Sequence, residues 1–160
     1  MHRILAALAA LLLAGACSSS SSALTTFTLT GASVDPSYRC PGGAHDAPYD
    51  LHATIDVRNG TLREVTISSV TAEMKLAAVK GDWLEKVGDR YDAGSVMFEP
   101  NSVAAGASAR VNVVIPSACT SGTYGSTASH WGRYQVTMHL TTSSGAYSIS
   151  AANQHEILTA

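Results

Sequence analysis

Apolar and polar residues alternate along most of the chain after residue 24. The clearest case is residues 51–58, where Leu51, Ala53, Ile55 and Val57 are separated by polar side chains. The same period of two recurs in residues 109–115 and 134–140. Successive side chains of a strand point to opposite faces, so each of these segments is predicted to be a half-buried strand.

Shorter alternations predict further strands, at residues 24–30, 65–67, 96–98, 147–149 and 157–158. Residues 70–79 are ambiguous, because their apolar residues alternate although Ala, Glu, Met, Lys and Leu favour a helix. We interpret them as a strand, since the alternation continues from the segment before. A short helix is predicted around residues 83–87. The pair Asn59-Gly60 predicts a tight turn or a corner between sheets.

Seven or eight short strands without a convincing long helix predict an all-β, antiparallel sandwich, in one domain over residues 24–160. Phe98-Glu99-Pro100, residues 103–106 and residues 109–116 together resemble the immunoglobulin-like and fibronectin-type domains of bacterial envelope proteins. In those domains a proline, an apolar stretch and a glycine form a corner before a strand of alternating valines. The resemblance implies an immunoglobulin-like fold, but so many functions share it that it assigns no functional residue.

The first sixteen residues have the organisation of an export signal. Residues 1–3 are short and basic, and residues 4–16 contain only Ile, Leu, Ala and one Gly. That apolar run is too short to span a bilayer about 30 Å thick. The final residues, 13–17, resemble the lipobox of bacterial lipoproteins, with Ala14 in place of the usual Leu. The resemblance implies that residues 1–16 are removed as a signal peptide and that the Cys17 thiol receives a diacylglycerol.

Ordinary secretion is an alternative, because Ala14 and Ala16 also satisfy the A-x-A rule for cleavage at the same bond. The five serines after Cys17 favour the lipid, since they resemble the flexible tether of a lipoprotein. We therefore predict a lipidated cysteine and tether at residues 17–23. The membrane is then a partner through the anchor, and the location is the cell envelope, facing the periplasm or the cell exterior.

The chain has three cysteines. With Cys17 assigned to lipid, Cys40 and Cys119 remain as a pair, and such pairs usually oxidise outside the cytoplasm. Both cysteines fall in predicted loops, and the prediction is a disulfide between them. Two unpaired thiols are the alternative. A metal site at either cysteine is disfavoured, because neither has a second Cys or a His at ligand spacing.

Charge and motifs narrow the range of functions. The net charge is −2 and no basic patch stands out, which argues against nucleic acid as a partner. No nucleophile, phosphate-binding or dinucleotide motif is present, and His155-Glu156 fails the zinc motif because Thr159 stands where the second histidine should be. We therefore expect neither an enzyme nor a cofactor.

Metal binding is the alternative function. Met138 and His139 invite a copper hypothesis, because exported sandwiches sometimes hold copper with His and Met. Adjacent strand residues point to opposite faces, however, and Met138 follows the apolar phase, so a core position is predicted for it. The remaining histidines are predicted to lie on the surface. The alternative is therefore a periplasmic copper or zinc binding protein.

Aromatic residues in predicted loops are the best binding candidates. Trp83, Tyr91, Tyr124 and Trp131 either anchor a binding surface or fold over the ends of the sandwich and cap its core. The best candidate loop is residues 120–133, beside the predicted disulfide, with Tyr124, His130 and Trp131 as its side chains. The resulting hypothesis is a lipid-anchored envelope protein with a non-catalytic sandwich that binds a protein or a glycan, or acts as a structural module.

Overall fold

A computed structural model describes residues 26–43, 46–119 and 130–159. The predicted signal peptide, Cys17, the serine tether and Tyr124 lie outside these residues. The described chain forms eleven strands. They are β1 (Phe27–Val34), β2 (Ser37–Arg39), β3 (Ala47–Asn59), β4 (Val65–Lys80), β5 (Arg90–Ser95), β6 (Met97–Glu99), β7 (Ser102–Val103), β8 (Ser108–Cys119), β9 (Trp131–Thr142), β10 (Gly145–Ser150) and β11 (His155–Leu158).

The strands make two sheets. One has the order β1-β3-β8-β6, and the other has the order β2-β11-β9-β4-β5, with β10 beside β9 and β7 beside β4. All pairings are antiparallel except that of β2 with β11, which is parallel. The predicted all-β sandwich of two sheets, in which almost every strand pair is antiparallel, is confirmed. The structure has more strands than the seven or eight expected, because β2, β5 and β7 are too short or too polar to show an alternation of apolar residues.

The core lies between the sheets, on the inward faces of the long strands. β3 pairs with β8 over twelve positions, from Ala47 opposite Cys119 to Arg58 opposite Ser108. β4 pairs with β9 in the other sheet. Met138 is buried in this core, as its apolar phase predicted. The side chains that are almost completely buried include Leu51, Ile55, Val57, Ile67, Met74, Leu76, Val111, Ile115, Met138 and Leu140.

One end of the sandwich, called here the proximal end, contains the start of β1 and the corner that leads from β3 to β4. Asn59 is fully buried there. Its amide nitrogen donates to the carbonyl oxygens of Arg63, Val103 and Ala104 at 2.8, 2.9 and 3.1 Å. Its side-chain oxygen accepts from the backbone nitrogen and the hydroxyl of Thr61. The predicted corner between sheets is therefore confirmed, and Asn59 is its central hydrogen-bonding group.

The opposite end, called the distal end, contains the start of β3, the end of β8 and the predicted disulfide. Cys40 and Cys119 are bonded to each other, and both are buried. The prediction that Cys119 lies in a loop is wrong, because β8 continues through Pro116 to Cys119. Pro116 lies beyond the pairing of β8 with β6, which ends at Val114. Proline is tolerated in a strand at such an edge, where its missing N–H costs no ladder hydrogen bond.

The predicted helix at residues 83–87 is also wrong, since these residues form turns and bends. The segment lies between Gly81 and Gly88, whose φ angles are 73° and 104°. So short a segment cannot offset the cost of helix nucleation. Its backbone is held instead by a local hydrogen bond from the Lys86 nitrogen to the Asp89 carboxylate and by a bond from the Gly88 nitrogen to the Leu76 carbonyl oxygen of β4, both 2.8 Å long.

We predict that Asn59→Ala destabilises the fold by about 1–3 kcal/mol, because the buried carbonyl oxygen of Val103 loses its donor. The measurement is urea unfolding. Asn112→Ala, at an exposed position of β8, is the matched control and should change the free energy of unfolding by less than about 0.5 kcal/mol. Equal effects of the two substitutions would contradict the role assigned to Asn59.

Candidate functional site

A cleft opens at the distal end, between the edge strand β5 and the end of β8. Its volume is about 220 Å³. The inner wall is formed by core residues of the β2-β11-β9-β4-β5 sheet, and the outer wall by β8 and the residues before and within β5. The lining residues are Met74, Leu76, Glu85, Asp89, Arg90, Tyr91, Ser117, Ala118, Tyr134 and Ile157.

The cleft and the segment before β5 combine exposed apolar and charged side chains. Tyr91, which lines the cleft, is 46% exposed, and Leu84 and Val87, close in sequence to the lining residues Glu85 and Asp89, are 65% and 60% exposed. The Tyr91 hydroxyl donates to the Pro116 carbonyl oxygen at 3.3 Å, so the ring bridges β5 and β8. The Arg90 guanidinium donates to both carboxylate oxygens of Glu73, at 2.8 and 2.9 Å.

A buried tyrosine–histidine pair lies beside the cleft. The Tyr49 hydroxyl and Nε2 of His155 are 3.0 Å apart, and Nδ1 of His155 is 2.8 Å from the carbonyl oxygen of Asp35. A carbonyl oxygen can only accept, so Nδ1 carries the proton of the neutral ring. Nε2 is then the acceptor, and Tyr49 donates to it. Both ring nitrogens of a fully buried histidine are thus satisfied.

Burial keeps both members of this pair neutral near neutral pH. It raises the pKa of Tyr49 to about 12, against an opposing hydrogen bond from Ser117. Burial also lowers the pKa of His155, although its bond to the Asp35 carbonyl acts in the other direction. A neutral donor and a neutral acceptor can share one hydrogen bond without an uncompensated buried charge. The pair therefore has the properties of a structural contact.

The same pair is packed against the strand that ends at the disulfide. The ring of Tyr38, in β2, stacks on that of Tyr49 with centroids 3.9 Å apart and planes 4° from parallel. Ser117 lies opposite Tyr49 in the pairing of β3 with β8 and also lines the cleft. Tyr49 and Ser117 thus join the cleft wall to the buried part of the distal end.

Of the predicted binding-loop residues, the described ones, His130 and Trp131, are not among the residues that line the cleft. Tyr124 lies outside the described residues. His130 is 9% exposed, its Nδ1 accepts from the Asp82 nitrogen at 2.8 Å, and its carbonyl oxygen accepts from Thr159. Trp131 is half-buried, with the Arg133 guanidinium carbon 4.3 Å from its ring centroid. A binding role for these three residues stays a prediction.

The prediction that the aromatic binding candidates lie in loops is wrong for Tyr91, which belongs to β5, and for Trp131, which begins β9. Trp83 is half-buried and caps the core, because Nε1 donates to the Tyr134 hydroxyl at 3.2 Å. Its indole lies so close to Gly132 that a Cβ there would be 2.5 Å from it, so only glycine fits. Tyr91 is exposed at the mouth of the cleft.

The histidines of the described residues do not converge, and the predicted surface position is wrong for His130 and His155, which are buried. His52 contacts the Asp35 carboxylate at 3.1 Å on the outer face of one sheet, and His139 is exposed on the other sheet. No group of three or more His, Cys, Asp or Glu residues with metal-binding geometry occurs within residues 26–43, 46–119 and 130–159. The metal-binding alternative therefore gains no support from these residues.

Sequence reasoning missed Tyr49 and His155 as a pair, since 106 positions separate them. One signal was present. Ile157 was assigned to a closing strand, and a period of two places His155 on the same inward face as Ile157. The cleft had no such signal, because its walls come from five separate parts of the chain.

Comparisons with known proteins are distant. No protein-family model matches the chain, and no curated protein matches it in sequence. One similar structure is AggA, the major subunit of aggregative adherence fimbriae type I from Escherichia coli, with a TM-score of 0.40 and 8% identity over 84% of this chain and 96% of that chain. Another is a PapD-like domain of human CEP192, with a TM-score of 0.31 and 10% identity over 82% and 87%. Likenesses this loose carry no argument about function.

We predict that Tyr49→Phe destabilises the protein by about 1–3 kcal/mol, because Nε2 of the buried His155 loses its donor. The measurement is denaturant unfolding at about pH 7.5. Tyr38→Phe keeps the stacked ring and should cost less than about 0.5 kcal/mol. The assigned tautomer would be wrong if Tyr49→Phe were as mild as this control.

We predict a pH dependence that originates at His155. Because burial lowers the pKa of His155, the unfolded chain binds more protons than the folded protein below the unfolded value of about 6.5. Stability therefore falls as the pH drops through about 6.5 and levels off below the folded pKa. The melting temperature of His155→Gln should change less between about pH 7.5 and about pH 5 than that of the wild type. His139→Gln, at an exposed histidine of β9, should keep the wild-type difference.

Proposed function

We propose that this chain is an exported, lipid-anchored envelope protein whose immunoglobulin-like sandwich is a non-catalytic module for binding a protein or a glycan, or a structural module. The observation that carries the proposal is the buried disulfide between Cys40 and Cys119. Disulfides persist in oxidising compartments outside the cytoplasm. The signal-peptide pattern at residues 1–16 and the lipobox-like residues before Cys17 point to the same route.

The position of the first described residues supports a tether. The carbonyl oxygen of Thr26 accepts from the Gly60 nitrogen at the proximal end. β3 has thirteen residues and runs from this end to the distal end, so it spans about 40 Å. A chain anchored through Cys17 therefore enters the sandwich at the end opposite the cleft. Within the described residues, no helix is long and apolar enough to cross a bilayer.

A non-catalytic role is supported by the state of the buried pair. Tyr49 and His155 form the buried pair that could act in acid–base chemistry, but they are 8% and 0% exposed. Each is saturated with hydrogen bonds, and a substrate proton has no path to Nε2 of His155 without displacing Tyr49. General acid–base catalysis needs the catalytic group within hydrogen-bond reach of the substrate.

The anchor is tested by expressing the full chain in a bacterium that processes lipoproteins. We expect the mature protein to begin at Cys17, with acyl mass on that residue, and to fractionate with membranes. Cys17→Ala should appear in the soluble envelope fraction, whereas Ser18→Ala, the neighbouring control, should stay with membranes. Two results would refute the lipid anchor. One is a product that begins at Met1. The other is a protein whose Cys17 is unmodified and that fractionates as Cys17→Ala does.

A further inference from the structure

We propose that the distal cleft binds one aromatic side chain of a polypeptide partner, at a position flanked by basic residues. This inference rests on the proposed function as a binding module, and it names the class of partner. The cleft volume of about 220 Å³ is below the roughly 300–1,000 Å³ of sites for drug-sized ligands. An apolar cavity of about 150 Å³ binds benzene, so this cleft has room for a single substituted ring.

The inner wall of the cleft favours the binding of an aromatic ring over the binding of a sugar. Met74, Leu76 and Ile157 provide apolar surface there, together with the rings of Tyr91 and Tyr134. Aromatic rings pack edge-to-face against one another, and a thioether sulfur makes favourable contacts with a ring edge. The hydroxyls of a sugar would lose their water against these side chains without gaining enough partners, which costs free energy.

The surface around the cleft favours a polypeptide over a free small molecule. Five large apolar residues are strongly exposed within the described chain. One of them, Tyr91, lines the cleft, and two more, Leu84 and Val87, lie in sequence next to the lining residues Glu85 and Asp89. A free aromatic compound held in the cleft would leave Leu84 and Val87 in water. A peptide that carries the ring would cover Leu84 and Val87 with the residues on either side of the ring. Residues around an interface hot spot exclude water in the same way.

The charge around the cleft determines which residues of the partner are favoured on either side of the inserted aromatic ring. Glu85 and Asp89 bring two carboxylates to the cleft lining. The nearby cation, Arg90, is held by both carboxylate oxygens of Glu73 and so is already neutralised. The rim therefore has a negative potential, which attracts lysine or arginine beside the inserted ring.

The test uses the exported full chain with Cys17→Ala, which needs no detergent that could enter the cleft. The probes are acetyl-Gly-Lys-X-Lys-Gly-amide peptides in which X is Phe, Tyr or Ala. Binding is followed by the methyl NMR signals of Met74 and Ile157. We expect saturable upfield shifts from the ring current with Phe and Tyr, and affinity at least about tenfold weaker with Ala. Replacing both lysines by glutamates should also weaken binding.

Two alanine positions provide matched variants. Ala118→Phe adds a ring to the cleft lining and should abolish the shifts, whereas Ala105→Phe, at an exposed turn of the proximal end, should leave them unchanged. If Ala118→Phe unfolds, as judged by its melting curve, Tyr91→Ala replaces it, because Tyr91 is exposed and its loss removes one wall. Binding to Tyr91→Ala should then weaken by about tenfold.

Two results would overturn the proposal. The first is the absence of shifts at Met74 and Ile157, or equal shifts with the Ala and Phe peptides. The second is binding of free N-acetyltyrosinamide as tight as that of the Tyr peptide, which would identify a small-molecule site instead. No lipid takes part in this assay, so its failure leaves the proposed anchor untouched, and a failure of acylation at Cys17 leaves this result untouched.

Discussion

The burial of alternate apolar side chains between two sheets is the interaction on which this structure depends. β3 and β8 present one such face, and β4 and β9 present the other, so each long strand contributes every second residue to a shared core. The intervening residues are left in water, which is why the chain can be half polar along its strands and still fold. Two sheets packed in this way leave openings at both ends and along the edges, and other groups must close them.

The two ends are closed by different chemistry. At the proximal end Asn59 satisfies three carbonyl oxygens of the surrounding loops, which ties the β3–β4 corner to the residues that follow β7. At the distal end a disulfide, stacked tyrosines and the buried His155 perform the same task. Among the described residues, the distal closure is incomplete beside β5, where the Tyr91 hydroxyl bonds to the Pro116 carbonyl oxygen of β8. That incomplete closure creates the cleft, which lies at the end of the sandwich farther from the proposed anchor.

Two segments of the sequence have a composition that favours a helix, and neither of them forms one. Residues 70–79 have a helical composition, but their alternation prevailed, because β4 is paired along its length with β9. Residues 83–87 also have a helical composition and form turns, because five residues gain too little from one helical turn and Trp83 is held against Gly132. Propensity was therefore a poor guide wherever a tertiary contact was available to override it.

The sequence by itself determined the strands with a clear period of two, the sandwich class, the corner at Asn59 and the pairing of Cys40 with Cys119. These features follow from local alternation, from turn chemistry and from an even number of remaining cysteines, all of which can be read without knowing which strands are neighbours. Only the tertiary structure decided the strand order, the contact of Tyr49 with His155 and the cleft. These depend on residues far apart in the chain, and neither spacing nor composition records which of them the packing of two sheets brings together.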